Sequence, residues 1–147
     1  MLLLAALSLA LVLLLSYSTS CAPEASGIVL VPAYFYPTSG DFQRLLGVRA
    51  VRSVIVVLNV FNGPGDRFDS VYGWAIEELL NRGMIPIGYV YTSYSRRNIS
   101  EVKEDIDRWF GFYPKIRGVF IDEVGGDTSY YADLYNYVKS SYDGIVV

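Results

Sequence analysis

Four apolar runs rich in β-branched residues, Ile28–Val31, Val54–Leu58, Met84–Thr92 and Gly118–Ile121, are each followed by a helical pattern, and this alternation constrains the fold more than any other feature. A run that is apolar at nearly every position suits a strand buried on both faces, as in a parallel sheet. The helical segments are legible from their faces and ends. Asp41–Gly47 is a short helix with an N-cap at Ser39 or Asp41 and a terminating glycine. Ser70–Arg82 places Val71, Trp74, Ala75, Ile76 and Leu79 on one face and stops at Gly83. Ser100 is the expected cap of a third helix, with Val102, Ile106, Trp109 and Phe110 inward and Pro114 at its end. Thr128–Ser141 is a tyrosine-rich fourth helix with Leu134, Tyr137 and Val138 inward, and Ile145–Val147 reads as a fifth strand. Four βα units plus a strand, joined by right-handed crossovers, predict an α/β protein with a parallel sheet. Periodicity leaves two arrangements open: a five-stranded flavodoxin-like sheet, which fits the length, or part of a TIM barrel, which in full needs eight units and about 250 residues.

The 147 residues contain no histidine and a single cysteine, Cys21. Ser-His-Asp and Cys-His catalysis, histidine-ligated zinc and an intramolecular disulfide are therefore excluded, and the sequence predicts no metal and no cofactor. A net charge of −3 with no basic cluster gives no footprint for nucleic acid. Asn62-Gly63-Pro64-Gly65 lacks the lysine and the glycine spacing of a phosphate loop. Arg96-Arg97 reads either as a clamp for an anionic group or as a solvated pair.

The first charged residue is Glu24, and Leu2–Leu15 is an almost unbroken apolar run that turns small and polar at Ser16–Pro23. Residues 1–21 read as an export leader cleaved near Ser20, or as an uncleaved membrane tether, ahead of one domain over 27–147. Either outcome puts the domain outside the cell, secreted or on its surface. Cys21 follows small residues as a lipid-attachment cysteine does, but Ser18 stands where such sites carry an aliphatic residue.

The fourth run ends in Asp122-Glu123 and then a glycine-containing loop, Val124–Asp127. A carboxylate does not bury well, so Asp122 is expected where the strand leaves the core, the place where parallel α/β sheets carry their chemistry. Strand alternation puts Asp122 with Phe120 on one face and Glu123 with Ile121 on the other, unless the strand has broken by Glu123. Tyr34, Asn59, Tyr89 and Tyr91 fall at the exits of the first three strands and therefore on the same loop face. Tyrosine rings that stack on sugar C–H faces, with amide and carboxylate groups for the hydroxyls, suit carbohydrate. The alternative is that the 13 tyrosines are structural residues of an exported protein.

Four separated motifs carry a family resemblance. Val31-Pro32-Ala33-Tyr34-Phe35-Tyr36-Pro37, Leu58-Asn59-Val60-Phe61-Asn62-Gly63-Pro64-Gly65, Gly88-Tyr89-Val90-Tyr91-Thr92-Ser93-Tyr94, and Asp105-Ile106-Asp107-Arg108-Trp109 with Gly118-Val119-Phe120-Ile121-Asp122-Glu123 resemble the spherulation-specific family 4 proteins. That family is similar to barrel-type glycosidases of the endo-α-1,4-polygalactosaminidase kind. The resemblance covers roughly Val31 to Lys139 and implies a partial TIM-like (β/α) barrel, the N-terminal half of such proteins, with Asp122 as the acid at the end of the fourth strand. It also implies a polysaccharide as partner and, for a half-barrel taken alone, no hydrolase activity. Its open edges would then be covered by further strands or by self-association. A non-catalytic carbohydrate-binding or envelope protein on the same scaffold is the alternative function.

Overall fold

The structure, a computed structural model, describes residues 27–48 and 53–147. The expected leader or tether lies outside these residues. No helix among the described residues is long and apolar enough to cross a membrane.

Five strands, β1 (Ile28–Ala33), β2 (Ser53–Leu58), β3 (Ile85–Tyr91), β4 (Gly118–Asp122) and β5 (Ile145–Val146), form one parallel sheet in the order β1-β2-β3-β4-β5. Helices α1 (Gly40–Leu46), α2 (Ser70–Asn81), α3 (Ile99–Phe112) and α4 (Thr128–Tyr142) lie between successive strands. This strand order decides between the two arrangements. A flavodoxin-like sheet starts from an interior strand and reverses direction, which sends helices to both faces. Here each strand lies beside its predecessor, and right-handed crossovers then put every helix on one side. The fold is an open, partial TIM-like (β/α) barrel.

Strand alternation sorts the two faces. Val54, Val56, Leu58, Val90, Val119 and Ile121 face the helices, against Phe42, Leu79, Ile106, Trp109, Leu134 and Val138 among others. Ile55, Val57, Ile87 and Tyr89 form a smaller cluster on the opposite, inner face, flanked by Ile85, Tyr91 and Phe120. A TIM barrel fills its interior with this second set. Each fully buried Leu, Ile or Phe side chain contributes roughly 1.5–3 kcal/mol, so the helix-facing cluster supplies most of the stability. Strand β1 is an edge among the described residues and leaves Ile28, Val29 and Leu30 exposed.

Some details depart from the sequence reading for identifiable reasons. Helix α3 is capped by Asn98, whose Oδ1 accepts the Ser100 N–H at 3.0 Å; Ser100 lies inside the first turn. Helix α2 turns Tyr72 inward while Trp74 is exposed, because the Tyr72 hydroxyl has a partner below the loop, donating to the Asn59 carbonyl at 2.9 Å. That site pushes the Tyr72 phenol up to about 12, burial being the main cause. Phe110 and Tyr137 are only half-buried: Phe110 stacks flat on Tyr142 with ring centroids 4.0 Å apart, and the Tyr137 hydroxyl donates to Asp107 at 2.7 Å. Strand β3 is shorter by a residue at each end than the apolar run Met84–Thr92 suggested.

Candidate active site

The site opens at the C-terminal ends of the strands, on the inner face. Asp122 is the last residue of β4 and pairs in register with Tyr91, just as Phe120 pairs with Tyr89. Phe120 and Tyr89 stack at 6.4 Å, and the Tyr34 ring meets Tyr89 edge-on at 5.5 Å. Tyr89 is buried, whereas Tyr34 is half-exposed at the rim. Their ionisation reports the same neighbourhood. Burial comes first for Tyr89, then the Asp122 carboxylate as acceptor and as charge, and then the charges of Tyr34 and Glu123; all push its phenol upward. Burial and Asp122 raise Tyr34 in the same way. Both phenols are therefore protonated donors at neutral pH, gathered around a carboxylate.

Glu123 does not follow the strand alternation. Strand β4 ends at Asp122, and Glu123 adopts φ +53°, a left-handed conformation uncommon for a residue with a Cβ. Its amide donates to Asp122 Oδ1 at 2.8 Å. The sequence allowed Glu123 to join Asp122 only if the strand had broken there, and it has.

The other two residues selected from the sequence stand differently. Asn59 continues the inner-face parity of β2, but its Oδ1 accepts the Gly63 N–H at 2.9 Å and stabilises the loop. Its amide NH2 is the group left to donate. Tyr91 lies beside Asp122, yet one face of its ring is covered by Arg97, whose guanidinium carbon stands 4.1 Å from the ring centroid. Arg97 also donates to the Tyr91 carbonyl and to Asp105 Oδ2, each at 2.8 Å. This arginine is neither a solvated residue nor a free clamp. It closes a shielded ion pair in which the Arg97 and Asp105 side chains are 15% and 12% exposed. Removal of one member of such a pair typically costs about 3–5 kcal/mol, because the other charge stays buried. The acid inside the α3 stripe Val102, Ile106, Trp109 was the sequence signal for this pair.

Among the described residues, no group of three His, Cys, Asp or Glu side chains could hold a metal ion.

Residues 28–147 match the family described as spherulation-specific family 4. The chain belongs to spherulation-specific family 4. It is 34% identical over 116 residues to Spherulin-4 of Physarum polycephalum, an alignment covering 76% of this chain and 35% of that protein. It also superimposes on the crystal structure of Aspergillus clavatus Sph3 in complex with GalNAc, with a TM-score of 0.69 and 32% identity, over 78% of this chain and 52% of Sph3. This family 4 chain therefore spans about a third of one relative and about half of the other.

Two features of the family 4 site escaped the sequence. The loop after β3 carries three consecutive left-handed residues, Ser93, Tyr94 and Ser95, none of them glycine. Tyr131 of α4 reaches this loop with its hydroxyl. No sequence pattern marks a run of left-handed serine and tyrosine, and Tyr131 is one of several tyrosines in its helix.

Proposed function

We propose that this chain carries the carbohydrate site of an exported glycoside-hydrolase-like barrel acting on polysaccharide. Asp122 serves as general acid/base or nucleophile and Glu123 as the second carboxylate. Tyr34, Tyr89, Tyr91 and Asn59 contact the sugar. The observation that carries this reading is the convergence of two protonated tyrosines on Asp122 at the open strand ends. Support also comes from a 32% identical structural relative solved with GalNAc. A pyranose has an apolar C–H face for a ring and hydroxyls for the phenols and carboxylate. Glycosidic cleavage needs two carboxyl groups, and Asp122 with Glu123 supplies them.

Calorimetric titration with GalNAc and with amino-sugar polymers tests the binding half. Tyr34→Ala and Tyr89→Ala are expected to weaken affinity about tenfold each, the size of one aromatic contact of about 1.4 kcal/mol. Unchanged affinity in both variants, for every sugar that binds, makes those tyrosines structural. Binding without reducing-sugar release in a closed barrel favours the non-catalytic carbohydrate-binding alternative.

We extend the proposal to the edge of the sheet. Exposed Ile28, Val29 and Leu30 on β1, whose outer edge has no partner strand among the described residues, invite pairing with further strands or with a second copy. Residues 27–147 in isolation are expected to elute larger than a monomer, and Leu30→Lys to shift them back. Monomeric elution of the unsubstituted domain across micromolar concentrations would refute self-association.

A further inference from the structure

The left-handed turn at Glu123 is a strained conformation for a residue with a Cβ, and it persists only where neighbouring groups fix it. Its restraints come from the loop after β3. Tyr94 N–H donates to the Glu123 carbonyl at 2.7 Å and Thr92 N–H to the Asp122 carbonyl at 3.1 Å. The Thr92 hydroxyl stands 2.8 Å from the Glu123 carbonyl and 3.1 Å from that of Asp122. The Tyr131 hydroxyl in turn lies 3.0 Å from Thr92 Oγ1, 3.0 Å from Ser95 Oγ and 2.6 Å from the Gly125 nitrogen.

The direction of each bond follows from counting donors. Carbonyls only accept, so the single Thr92 proton goes to Asp122 or Glu123. Gly125 N–H and Ser95 O–H donate to Tyr131, which leaves the Tyr131 proton for Thr92 Oγ1. The result is one directed chain, from α4 through the buried Thr92 to the backbone of the two acids. Gly125 sits so close to the Tyr94 carbonyl that an added Cβ would stand 2.6 Å from that oxygen, so the two turns are pressed together where Tyr131 joins them.

We propose that Tyr131 is a positioning residue for Asp122 and Glu123: its hydroxyl, through Thr92 and Gly125, holds the left-handed turn that swings Glu123 from the helix side of the sheet toward the face bearing Asp122. In a strand that simply continued, Glu123 would follow Ile121 toward the helices. The catalytic consequence rests on the function proposed above; the conformational one does not.

Tyr131→Phe in the full chain separates the two, because it keeps the ring and its edge contact with Tyr130 and deletes only the hydroxyl. The first readout is the strong intraresidue NOE between the amide and Hα of Glu123 that marks a positive φ; it is expected to weaken. The second is turnover of an amino-sugar polymer by a closed barrel containing this chain, expected to fall about 100-fold in kcat at little-changed KM, since misplacement by an ångström costs on that order and Tyr34 and Tyr89 still hold the sugar. If Tyr131→Phe fails to fold, Thr92→Val takes its place and must give the same two changes. An unaltered Glu123 NOE with unaltered kcat overturns the proposal. In this chain alone the NOE decides, and a closed barrel containing it that shows no turnover counts against the proposed function and not against the role of Tyr131.

Discussion

In an active barrel containing this chain, Asp122→Asn is expected to lower hydrolysis of an amino-sugar polymer about 1,000-fold, the scale of a lost general acid/base, while the fold survives. Asparagine has the shape of aspartate, and its amide oxygen can still accept the Glu123 N–H that Asp122 Oδ1 now accepts at 2.8 Å. The stacking of Tyr89 on Phe120 and its edge contact with Tyr34 involve no charge on Asp122. What disappears is the proton acceptor and the negative charge that the two phenols face. Binding is therefore expected to change much less than kcat. Reducing-sugar release measures the first effect and calorimetry the second, with circular dichroism as the folding control. Full turnover by folded Asp122→Asn protein would remove Asp122 from the chemistry and leave the site as a binding surface.

The sequence could select Asp122 because a single strand carries its own evidence. An apolar run that ends in a carboxylate shows both where the strand leaves the core and which face the acid takes. Position within one strand also located Tyr34, Asn59, Tyr89 and Tyr91 at the loop face. It could not say what each does there, because that depends on partners from other elements. Asn59 looked like a free amide, but Gly63, four residues on, takes its oxygen. Tyr91 looked like an open ring, but Arg97, reaching across to Asp105, covers one side. Glu123 is the sharper case. Alternation turns it away from Asp122, yet β4 ends there in a left-handed turn bonded by Thr92 and Tyr94 and, through Thr92, by Tyr131, which come from two other segments.

The fold was legible to the same depth. Strand and helix existence followed from local periodicity, so the alternation of β and α was correct along the described chain. Strand order is a property of the whole sheet, and periodicity alone left the flavodoxin-like arrangement standing beside the barrel. The burial errors share one cause: a helical face is wider than its outward and inward extremes. Trp74 and Tyr72 both border the apolar stripe of α2, and the hydrogen bond from the Tyr72 hydroxyl to Asn59 decides which of them goes in.

Gly88→Ala is expected to destabilise the domain strongly, although it adds only one methyl group. Gly88 lies on the helix-facing side of β3, between Leu58 of β2 and Val119 of β4 in register. A Cβ at this position would overlap the Trp109 indole, against its Cγ, Cδ2 and Cε2 atoms. The ring has nowhere to go. Trp109 is fully buried, its Nε1–H donates to the Tyr89 carbonyl at 2.8 Å, and Tyr113 packs on it at 5.3 Å. Moving the indole would break that hydrogen bond and tug on the residue that faces Asp122, so the strain reaches the site as well as the core. Overpacking at so rigid a position is expected to cost about 3 kcal/mol, a fall of roughly 10 °C in melting temperature for a domain of this size. Urea unfolding of Gly88→Ala against the unsubstituted protein measures it. Trp109→Leu in the same chain makes room for the methyl, so the double variant is expected to lose less than the two single losses added together. Strict additivity, or a Gly88→Ala change within experimental error of zero, would mean that β3 and α3 can shift apart and that Trp109 does not fix the position of Tyr89.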